Sequence, residues 1–397
     1  MKVFQVNSVC GTGSTGRIVC DIKQMLKNSG NDCRIAYGRG FFDDPDCVKI
    51  ENDLVFKAHV FFSRITDRQG FYSTAATRRL VRDIEQFNPD IIHLHNIHGY
   101  YLDIRVLFEF LKQYNKPVVW TLHDCWAFTG HCAYFSFAGC EKWKTECGQC
   151  PQKSAYPASV LIDNSKKSFN LKKDLFTDID NLQIVTPSNW LNGVVKESFL
   201  KKFPVTTIYN GIDLNVFKPL KSDFKSKNGL SGKKVVLGVA NVWEKRKGLD
   251  DFIKLSKVLP NDYKIVLVGL SEKQIATLHQ NILGISRTEN INQLVEIYSA
   301  ADVYVNTSVE ETMGLTTVEA LACGTPAVVY NATAVPEMVN EKCGKVVNVG
   351  DIDGLIKAIT TIDVKAEDCL LRAAEFEKDK QYNIYLNLYK NILGSEK

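Results

Sequence analysis

Short apolar runs alternate with stretches of helical periodicity along the whole chain. Such runs, bounded by turn residues, are typical of buried strands, and their alternation with helices is typical of parallel sheets. The predicted strands of the N-terminal half are Val3–Val6, Cys33–Tyr37, Ile91–Leu94, Val118–Leu122 and Gln183–Thr186. Those of the C-terminal half are Val235–Val239, Lys264–Val268, Val303–Val305 and Ala327–Tyr330. The pattern predicts an α/β protein with two Rossmann-like parallel-sheet domains.

The chain of 397 residues is too long for one ordinary core, so we expect two domains. Residues 208–234 are turn-rich and polar and form the natural seam. We predict an N-terminal domain over 1–207 and a C-terminal domain over 208–375. The pattern of Val364–Leu393 is helical, with large apolar side chains at Phe376, Tyr382, Tyr385, Leu386 and Tyr389. We therefore expect residues 376–397 to pack back on the N-terminal domain.

Composition and charge narrow the class of protein. The net charge of +4 is nearly balanced, which argues against a dedicated nucleic-acid binder. No run approaches the ~20 apolar residues of a membrane-spanning helix, and the N-terminus lacks the apolar core of a signal peptide. We expect a cytoplasmic protein whose 12 cysteines are mostly free thiols.

Two carboxylates stand eight positions apart in SVEETMGLTTVEALACGTPAVV, residues 308–329. Thr317–Cys323 is predicted as a helix, with Gly324 as its C-terminal stop. Glu319 would lie in the first turn, and Glu311 in the loop that leads into it. Carboxylates accept hydrogen bonds from vicinal hydroxyls, and helix N-termini attract phosphate. The spacing fits a ligand with both groups, although an acidic first turn can also simply complement the helix dipole.

A glycine-rich loop, GTGSTG at residues 11–16, follows the first predicted strand and precedes a predicted helix, Arg17–Leu26. With Gly13 inside GxGxxG spacing, the backbone can approach a phosphate, or the loop is merely a tight turn. Dinucleotide-binding domains have an acidic residue at the end of the next strand, where this chain has Arg39. This counts against NAD and leaves NADP as an alternative.

Histidines follow two predicted strands. His93 and His95 alternate in DIIHLHNIHGYY and share one strand face, as a candidate metal pair or, for His93, as a buried side chain bonded to backbone. His123 ends the next strand, where polar residues line the ligand cleft between domains of this class. The chain has no HExxH, GxSxG or Walker loop, so we assign no catalytic metal.

These segments together resemble the retaining glycosyltransferases of the GT-B fold in family 4, also called glycosyl transferases group 1. The resemblance covers nearly the whole chain. Its strongest part is EETMGLTTVEALACGTPAVV, similar to the E-x7-E motif of that family. LGVANVWEKRKGLDDF is similar to its diphosphate-binding Lys-Gly segment, and NGIDLNVF, TPSNWL and YSAADVYVNTS match framework stretches. The resemblance implies two domains that face each other across a cleft.

On this resemblance, Glu319 would bind the ribose hydroxyls of the donor. Glu311 would hold the transferred sugar and its phosphate, together with the backbone of Thr312, Met313, Gly314 and Leu315. The family's usual Gly-Phe is Thr312-Met313 here, and Glu310 competes with Glu311 for the role. Discrimination of the base would rest on the loop that ends at Arg287.

The cations implied by the resemblance are Lys247 and its neighbour Arg246, which would neutralise the leaving diphosphate. Asn241 stands where many relatives have arginine, so the groups that hold each phosphate stay open. His123 would lie beside the donor sugar, and Gly13 would let the first loop approach the diphosphate and the acceptor.

Breaking the bond between the anomeric carbon and phosphate leaves negative charge on the diphosphate, which fixed cations and N–H groups stabilise without a metal. The family implies front-face hexosyl transfer, in which the departing phosphate oxygen takes the proton of the acceptor hydroxyl. The implied co-substrates are a UDP- or GDP-sugar and a glycan or lipid-linked acceptor of bacterial surface polysaccharide synthesis: capsule, O-antigen or exopolysaccharide. The alternatives are a sugar-nucleotide epimerase or hydrolase of the same fold and an NADP-binding protein.

Two further segments have no place in the transfer reaction. The insertion at 125–151 has four thiols that can close a structural zinc site, remain free or form a redox pair: Cys132, Cys140, Cys147 and Cys150. Residues 164–177 alternate apolar side chains with Lys166, Lys167, Lys172 and Lys173. This pattern fits a contact with the cytoplasmic membrane face or a solvated helix.

Overall fold

The computed structural model describes residues 1–394, which divide into two compact units. The first comprises Met1–Tyr209 with the C-terminal segment from Gln381, and the second comprises Asn210–Lys380. Each unit is built on one parallel sheet whose strands alternate with helices. The predicted fold class is confirmed. No helix within residues 1–394 has the length and hydropathy of a membrane span.

The N-terminal unit contains a parallel sheet made of β1 Lys2–Val9, β2 Asp32–Arg39, β3 Cys47–Lys49, β4 Ile91–Leu94, β5 Val118–Thr121, β6 Leu182–Thr186 and β7 Val205–Thr207. Its helices are α1 Gly13–Asn28, α2 Asp53–Thr66, α3 Thr74–Phe87, α4 Ile104–Tyr114, α5 Ser165–Thr177 and α6 Asn189–Glu197. The strand order is β3-β2-β1-β4-β5-β6-β7.

The C-terminal unit contains a second parallel sheet, made of β8 Lys234–Val239, β9 Tyr263–Val268, β10 Ile282–Ile285, β11 Val303–Asn306, β12 Ala327–Tyr330 and β13 Gly344–Val347. Its helices are α7 Phe224–Lys227, α8 Leu249–Val258, α9 Glu272–Ile275, α10 Ile291–Ala300, α11 Leu315–Ala322, α12 Ile352–Thr360 and α13 Ala366–Ala373. The strand order is β10-β9-β8-β11-β12-β13. A last helix, α14 Lys378–Gly394, leads into the C-terminal segment of the first unit.

Each sheet reverses its winding direction once, between β1 and β4 in the first unit and between β8 and β11 in the second. Loops that leave the carboxyl ends of two such neighbouring strands diverge, and ligands of open α/β sheets bind in the crevice between them. The glycine-rich loop follows β1, and the segment with Lys247 follows β8. The histidine segment follows β4, and the acidic loop follows β11. Both sets of motifs therefore lie at switch points.

The C-terminal helix α14 packs within the first unit. Its buried face, Tyr382, Tyr385, Leu386 and Tyr389, joins a cluster with Val3, Ile18, Ile22 and Ile91. Two tyrosine hydroxyls also make buried hydrogen bonds, Tyr385 with Thr121 Oγ1 (3.0 Å) and Tyr389 with His93 Nδ1 (2.7 Å). The helical pattern predicted for Val364–Leu393 is present as two helices, separated by a short 3₁₀ turn at Ala374–Phe376.

The sequence analysis missed four strands, and all four are sheet edges: β3, β7, β10 and β13. These edge strands are partly exposed and only three or four residues long, so each gives a short signal in the sequence. Two helix starts were also predicted too late. α1 begins at Gly13, which itself has positive φ, and α11 begins at Leu315, directly after Gly314 with positive φ.

Candidate functional site

The switch point of the C-terminal unit brings Lys247 and Glu311 together. Lys247 ends a 3₁₀ turn after β8, and Glu311 lies in the loop after β11, 64 positions later. Lys247 Nζ donates to Glu311 Oε1 in an ion pair whose side chains are largely but not fully buried. A cation and a carboxylate thus stand side by side where a parallel sheet binds its ligand.

Close backbone contact holds this pair in place. Thr307 Oγ1 donates to the carbonyl of Lys247 (2.9 Å), and the N–H of Val309 donates to the carbonyl of Arg246 (2.9 Å). Gly248 permits the approach, since a Cβ there would lie 2.4 Å from Thr307 Oγ1 and its φ is +76°. The acidic loop and the basic turn therefore form one bonded unit.

Arg246 contacts Glu244 and Glu310. Its Nε donates to Glu244 Oε2 (2.9 Å), and a guanidinium N–H reaches the carbonyl of Glu310 (3.4 Å). Glu310 itself is buried, whereas Glu311 is partly exposed and paired with Lys247. Of the two carboxylates, Glu311 is therefore the more exposed.

Glu319 lies on α11 and is buried. Its Oε2 accepts a hydrogen bond from Tyr298 Oη (2.9 Å), and burial together with this carboxylate raises the pKa of Tyr298 well above its ordinary value. The prediction that Glu319 lies in the first helical turn was wrong. Because α11 begins at Leu315, Glu319 is in the second turn, held in one orientation by a buried tyrosine.

The start of α11 has features of an anion site. Gly314 occupies the N-cap with φ +93°, and it has no side chain to cap the helix. Backbone N–H groups of a first helical turn have no partner within the helix and attract phosphate. The Met313 side chain is buried, and its Sδ accepts from the N–H of Asn210 (3.2 Å). Thr312 and Leu315 are partly exposed.

Two other predicted residues, Asn241 and Arg287, make no described contact with the Lys247–Glu311 ion pair. Asn241 follows β8 and Arg287 follows β10, and both are exposed. In the described part of the chain, no hydrogen bond or ion pair joins either residue to Lys247 or Glu311.

In the N-terminal unit, the glycine-rich loop leads straight into α1. The N-cap Thr12 makes no side-chain cap bond, and Gly13 has φ +66° with no described atom within 4 Å of the place that a Cβ would take. Gly11 is needed for a different reason, because a Cβ there would lie 2.3 Å from the ring of Phe42. The loop therefore presents exposed backbone at Gly13, the position predicted to approach phosphate.

A chain of hydrogen bonds fixes His123. Gln5 Nε2 donates to the carbonyl of Val19 (3.0 Å), so Gln5 Oε1 accepts from His95 Nε2 (3.0 Å). His95 Nδ1 in turn accepts from His123 Nε2 (3.0 Å). Burial lowers the pKa of His123 to about 4 and that of His95 below its ordinary value. Both rings are therefore neutral near pH 7, and the proton of His123 lies on Nε2.

His93 is structural. It bonds to Thr121 Oγ1 (2.8 Å) and Tyr389 Oη (2.7 Å), so the backbone partner expected from the sequence was wrong. The candidate metal pair of His93 and His95 also fails. Both rings are engaged with other side chains, and no group of three or more metal-ligating residues is found within residues 1–394.

Two residues outside the predicted set join His123. His98 Nε2 bonds to Asp124 Oδ2 (2.7 Å), and His95, His98, His123 and Asp124 line one small cavity. Burial would raise the pKa of Asp124, but the charge and hydrogen bond of His98 outweigh burial and lower it. The sequence signal was present, since Asp124 directly follows His123, but nothing in it indicated that His98 is its partner.

Two family models match the chain. The model described as Glycosyltransferase Family 4 matches residues 15–216, just over half of the chain, and the model described as Glycosyl transferases group 1 matches residues 233–362. The chain belongs to the family 4 glycosyltransferases. The family resemblance and the enzyme class inferred from the sequence are thereby confirmed.

Curated relatives of this glycosyltransferase include a putative colanic acid biosynthesis glycosyl transferase of Escherichia coli K12, WcaC. It is 24% identical over 418 residues, covering 99% of this chain and 100% of the relative. A 41.2 kDa protein from the cps region of Klebsiella pneumoniae is 24% identical, covering 79% of this chain and 82% of its own.

Solved structures share the fold of this glycosyltransferase. Sucrose-phosphate synthase of Thermosynechococcus elongatus has a TM-score of 0.72 at 16% identity, with full coverage of both chains. Anabaena HepE in complex with UDP has a TM-score of 0.68 at 15% identity, covering 98% of this chain and 100% of its own. At these identities the likeness shows the GT-B fold alone.

The four cysteines of the insertion of the glycosyltransferase are free thiols, one of the three states that the sequence allows. Cys132, Cys140, Cys147 and Cys150 line one small cavity, but the described residues hold no group arranged to bind a metal ion. Instead, a hydrogen bond from Cys132 lowers the pKa of Cys150, and the N–H of Gly130 donates to Cys147 Sγ (3.2 Å). Cys150 therefore contacts Cys132, and Cys147 contacts the backbone.

The basic helix α5 of the glycosyltransferase differs from its prediction at Lys172. This side chain is fully buried, with Nζ donating to the carbonyls of Trp126 (2.8 Å) and Thr129 (3.1 Å) and lying 3.3 Å from the Trp126 ring centre. Phe169 and Phe176 are buried as well. One of the four lysines therefore supports the insertion and cannot face a membrane.

Lys172 predicts a pH dependence of stability. Burial lowers its pKa from 10.5 to about 7, so between these values the unfolded chain binds the extra proton and the free energy of unfolding rises with pH. Urea unfolding at pH 7, 8 and 9 measures this effect. The free energy of unfolding of the wild type, relative to that of Lys172→Met, should increase by about 1 kcal/mol per pH unit. Lys173→Met, at an exposed neighbour, should show no such trend, and a constant gap between wild type and Lys172→Met would contradict the prediction.

Proposed function

We propose that this glycosyltransferase transfers a hexosyl group, with retention of configuration, from a UDP- or GDP-sugar to a glycan or lipid-linked saccharide. The observation that carries the proposal is the Lys247–Glu311 ion pair at the switch point between β8 and β11. It offers a cation for the diphosphate and a carboxylate for the sugar at the place where parallel sheets bind ligands.

Lys247 is the proposed diphosphate cation. An ammonium has three donors, and Lys247 gives one to Glu311, which leaves two for phosphate oxygens. The uncapped start of α11 at Gly314 and Leu315 adds backbone N–H groups of favourable polarity. Arg246 is proposed as a secondary cation, because its guanidinium is already bonded to Glu244.

Glu311 and Glu319 are proposed to accept hydrogen bonds from hydroxyl groups of the donor. Glu311 uses one oxygen for Lys247, and its other oxygen can accept from the transferred sugar. Glu319 is oriented by Tyr298 and is proposed to accept from the ribose hydroxyls of the donor. A buried, oriented carboxylate binds hydroxyls more tightly than a solvated one, because little is lost in ordering it.

In the N-terminal unit, we propose that His123 accepts a hydrogen bond from a sugar hydroxyl. Its neutral state and its donated Nε2 proton suit that role. The exposed backbone at Gly13 is proposed to approach a phosphate or the acceptor. The hydrogen-bond chain through His95 and Gln5 would then position His123 without taking part in the chemistry.

The proposed reaction needs no catalytic metal. As the glycosidic bond to phosphate breaks, negative charge grows on the diphosphate, where Lys247 and the α11 N-terminus lower its energy. The departing phosphate oxygen takes the proton of the acceptor hydroxyl on the same face of the sugar, which accounts for retention. The names of the two bacterial relatives support a role in surface polysaccharide synthesis.

A panel of nucleotide sugars tests the proposal. The preferred UDP- or GDP-sugar should raise the melting temperature, since saturation at 100 times Kd adds about 2.7 kcal/mol to the free energy of unfolding. With that donor and an acceptor, NMR of the product should show the anomeric configuration of the donor, in EDTA as well as without it. Donor consumption without acceptor would instead indicate an epimerase or hydrolase, and binding of NADPH alone would indicate a dinucleotide-binding protein.

A further inference from the structure

Helix α2 in the N-terminal unit buries polar side chains and exposes large apolar ones. Its two buried side chains are polar, His59 and Ser63, while Leu54, Phe61 and Phe62 are exposed. His59 bonds to Ser73 Oγ (2.8 Å) and packs edge-on against Tyr72. Surface helices of soluble proteins turn the apolar stripe to the core. Polar and aromatic contacts therefore hold α2 to the unit while its apolar stripe faces outward.

A second segment extends this stripe. The N–H of Val160 donates to the carbonyl of Arg64 (2.7 Å), and the N–H of Ile162 donates to that of Ile65 (3.3 Å). Residues 160–162 thus lie against the end of α2 with three successive apolar side chains exposed. Together the six residues are between 46% and 81% exposed: Leu54, Phe61, Phe62, Val160, Leu161 and Ile162. We call these six residues the α2 apolar surface.

Basic side chains lie within the same stripe. Leu54, Lys57, Phe61 and Arg64 follow one another at spacings of three, four and three, which puts them on one helix face. Among residues 1–394, neither Lys57 nor Arg64 forms an ion pair with a carboxylate. The nearest acidic group on the helix, Asp53, pairs with Lys49. The stripe therefore combines large apolar side chains with two basic side chains that form no ion pair within residues 1–394.

We propose that the α2 apolar surface docks onto an anionic lipid bilayer, with α2 lying in the plane of the interface. The boundary between headgroups and acyl chains would accommodate the side chains of Leu54, Phe61 and residues 160–162. Lys57 and Arg64 would extend to anionic headgroups. Exposed apolar patches of this kind mark interaction sites on soluble proteins.

Charge favours a bilayer over a second copy of the chain. An antiparallel pair of α2 helices about a two-fold axis would place Lys57 of one copy opposite Arg64 of the other, which is repulsive. An anionic surface satisfies the apolar and the basic side chains at once. The inference goes beyond the proposed transfer reaction, and it is tested by binding alone, so failure of one does not imply failure of the other.

Vesicle sedimentation of the full chain tests the docking. We expect at least ~10-fold more protein on vesicles of 30% phosphatidylglycerol in phosphatidylcholine than on phosphatidylcholine alone. Phe61→Glu with Leu161→Glu should remove at least ~10-fold of that binding. The matched control, Val258→Glu with Leu371→Glu, adds the same charges at exposed apolar positions of the other unit and should bind as the wild type does.

Two pairs of substitutions test whether basic side chains cause the preference for anionic lipid. Lys57→Gln with Arg64→Gln should abolish the preference for phosphatidylglycerol, whereas Lys167→Gln with Lys173→Gln on α5 should leave it unchanged. Melting temperatures within a few degrees of the wild type would show that each variant is folded. Wild-type binding by the glutamate variant would overturn the proposal. So would a wild-type dimer in sedimentation velocity that the glutamate variant dissociates, since that result would assign the surface to a second copy.

Discussion

Replacing Lys247 with alanine should lower kcat by ~10²–10³-fold, the loss seen when one preorganised group that stabilises transition-state charge is removed. Lys247 is the cation that the structure places beside Glu311 at the carboxyl ends of β8 and β11. Its charge is needed most when the diphosphate departs, so kcat should fall more than KM rises. Steady-state kinetics with the donor identified by the melting panel measure both.

Lys245→Ala is the matched control for this experiment. Lys245 begins the same 3₁₀ turn and is exposed, so the variant removes the same charge type from nearly the same position. Its kcat should stay within about twofold of the wild type, as expected for a solvated charge. If Lys247→Ala and Lys245→Ala are equally active, Lys247 is not the diphosphate cation.

Replacing Glu319 with glutamine should weaken donor binding by ~10–100-fold, as expected for hydrogen bonds to a charged group. Glutamine keeps the size of the side chain and an acceptor for Tyr298 Oη, so the fold should be spared. Alanine would instead leave the buried Tyr298 hydroxyl without its acceptor, at a cost of about 1–3 kcal/mol of stability. Calorimetric titration with the nucleoside diphosphate gives Kd for each form.

A deoxyribose ligand shows whether the ribose is the group that Glu319 binds. For the 2′-deoxynucleoside diphosphate, the penalty of Glu319→Gln should shrink, since one hydroxyl that it would bind is missing. Tyr298→Phe removes one hydrogen bond that orients the carboxylate and should give a smaller loss than Glu319→Gln. An equal penalty with ribose and deoxyribose would assign Glu319 a structural role.

The sequence analysis predicted the central strands of both sheets well and missed the edges. Central strands of a parallel sheet are buried on both faces, so Ile91–Leu94 and Ala327–Tyr330 are mostly apolar, and both predicted ranges match the structure. Edge strands such as Val205–Thr207 are partly exposed. The edge strands were therefore missed because they are only partly buried.

Proximity among the candidate residues could be predicted only where the chain keeps them close. Glu311 and the α11 N-terminus adjoin in sequence, so their proximity was expected. The pairing of Lys247 with Glu311 and of His98 with Asp124 depends on which strands are neighbours in the sheet. Likewise, the burial of Lys172 depends on the insertion folding over α5, which periodicity does not show.

The features that could be predicted from the sequence alone are those that depend on local interactions. Alternating apolar runs, glycines at turns and motif spacing specify strands, helix limits and the family, because each depends on residues close in the chain. Contacts between distant segments are different. Tyr389 meets His93 and Lys247 meets Glu311 only because the sheets order their strands out of sequence. Side-chain partners, burial and pKa shifts follow from that packing and were fixed by the folded chain.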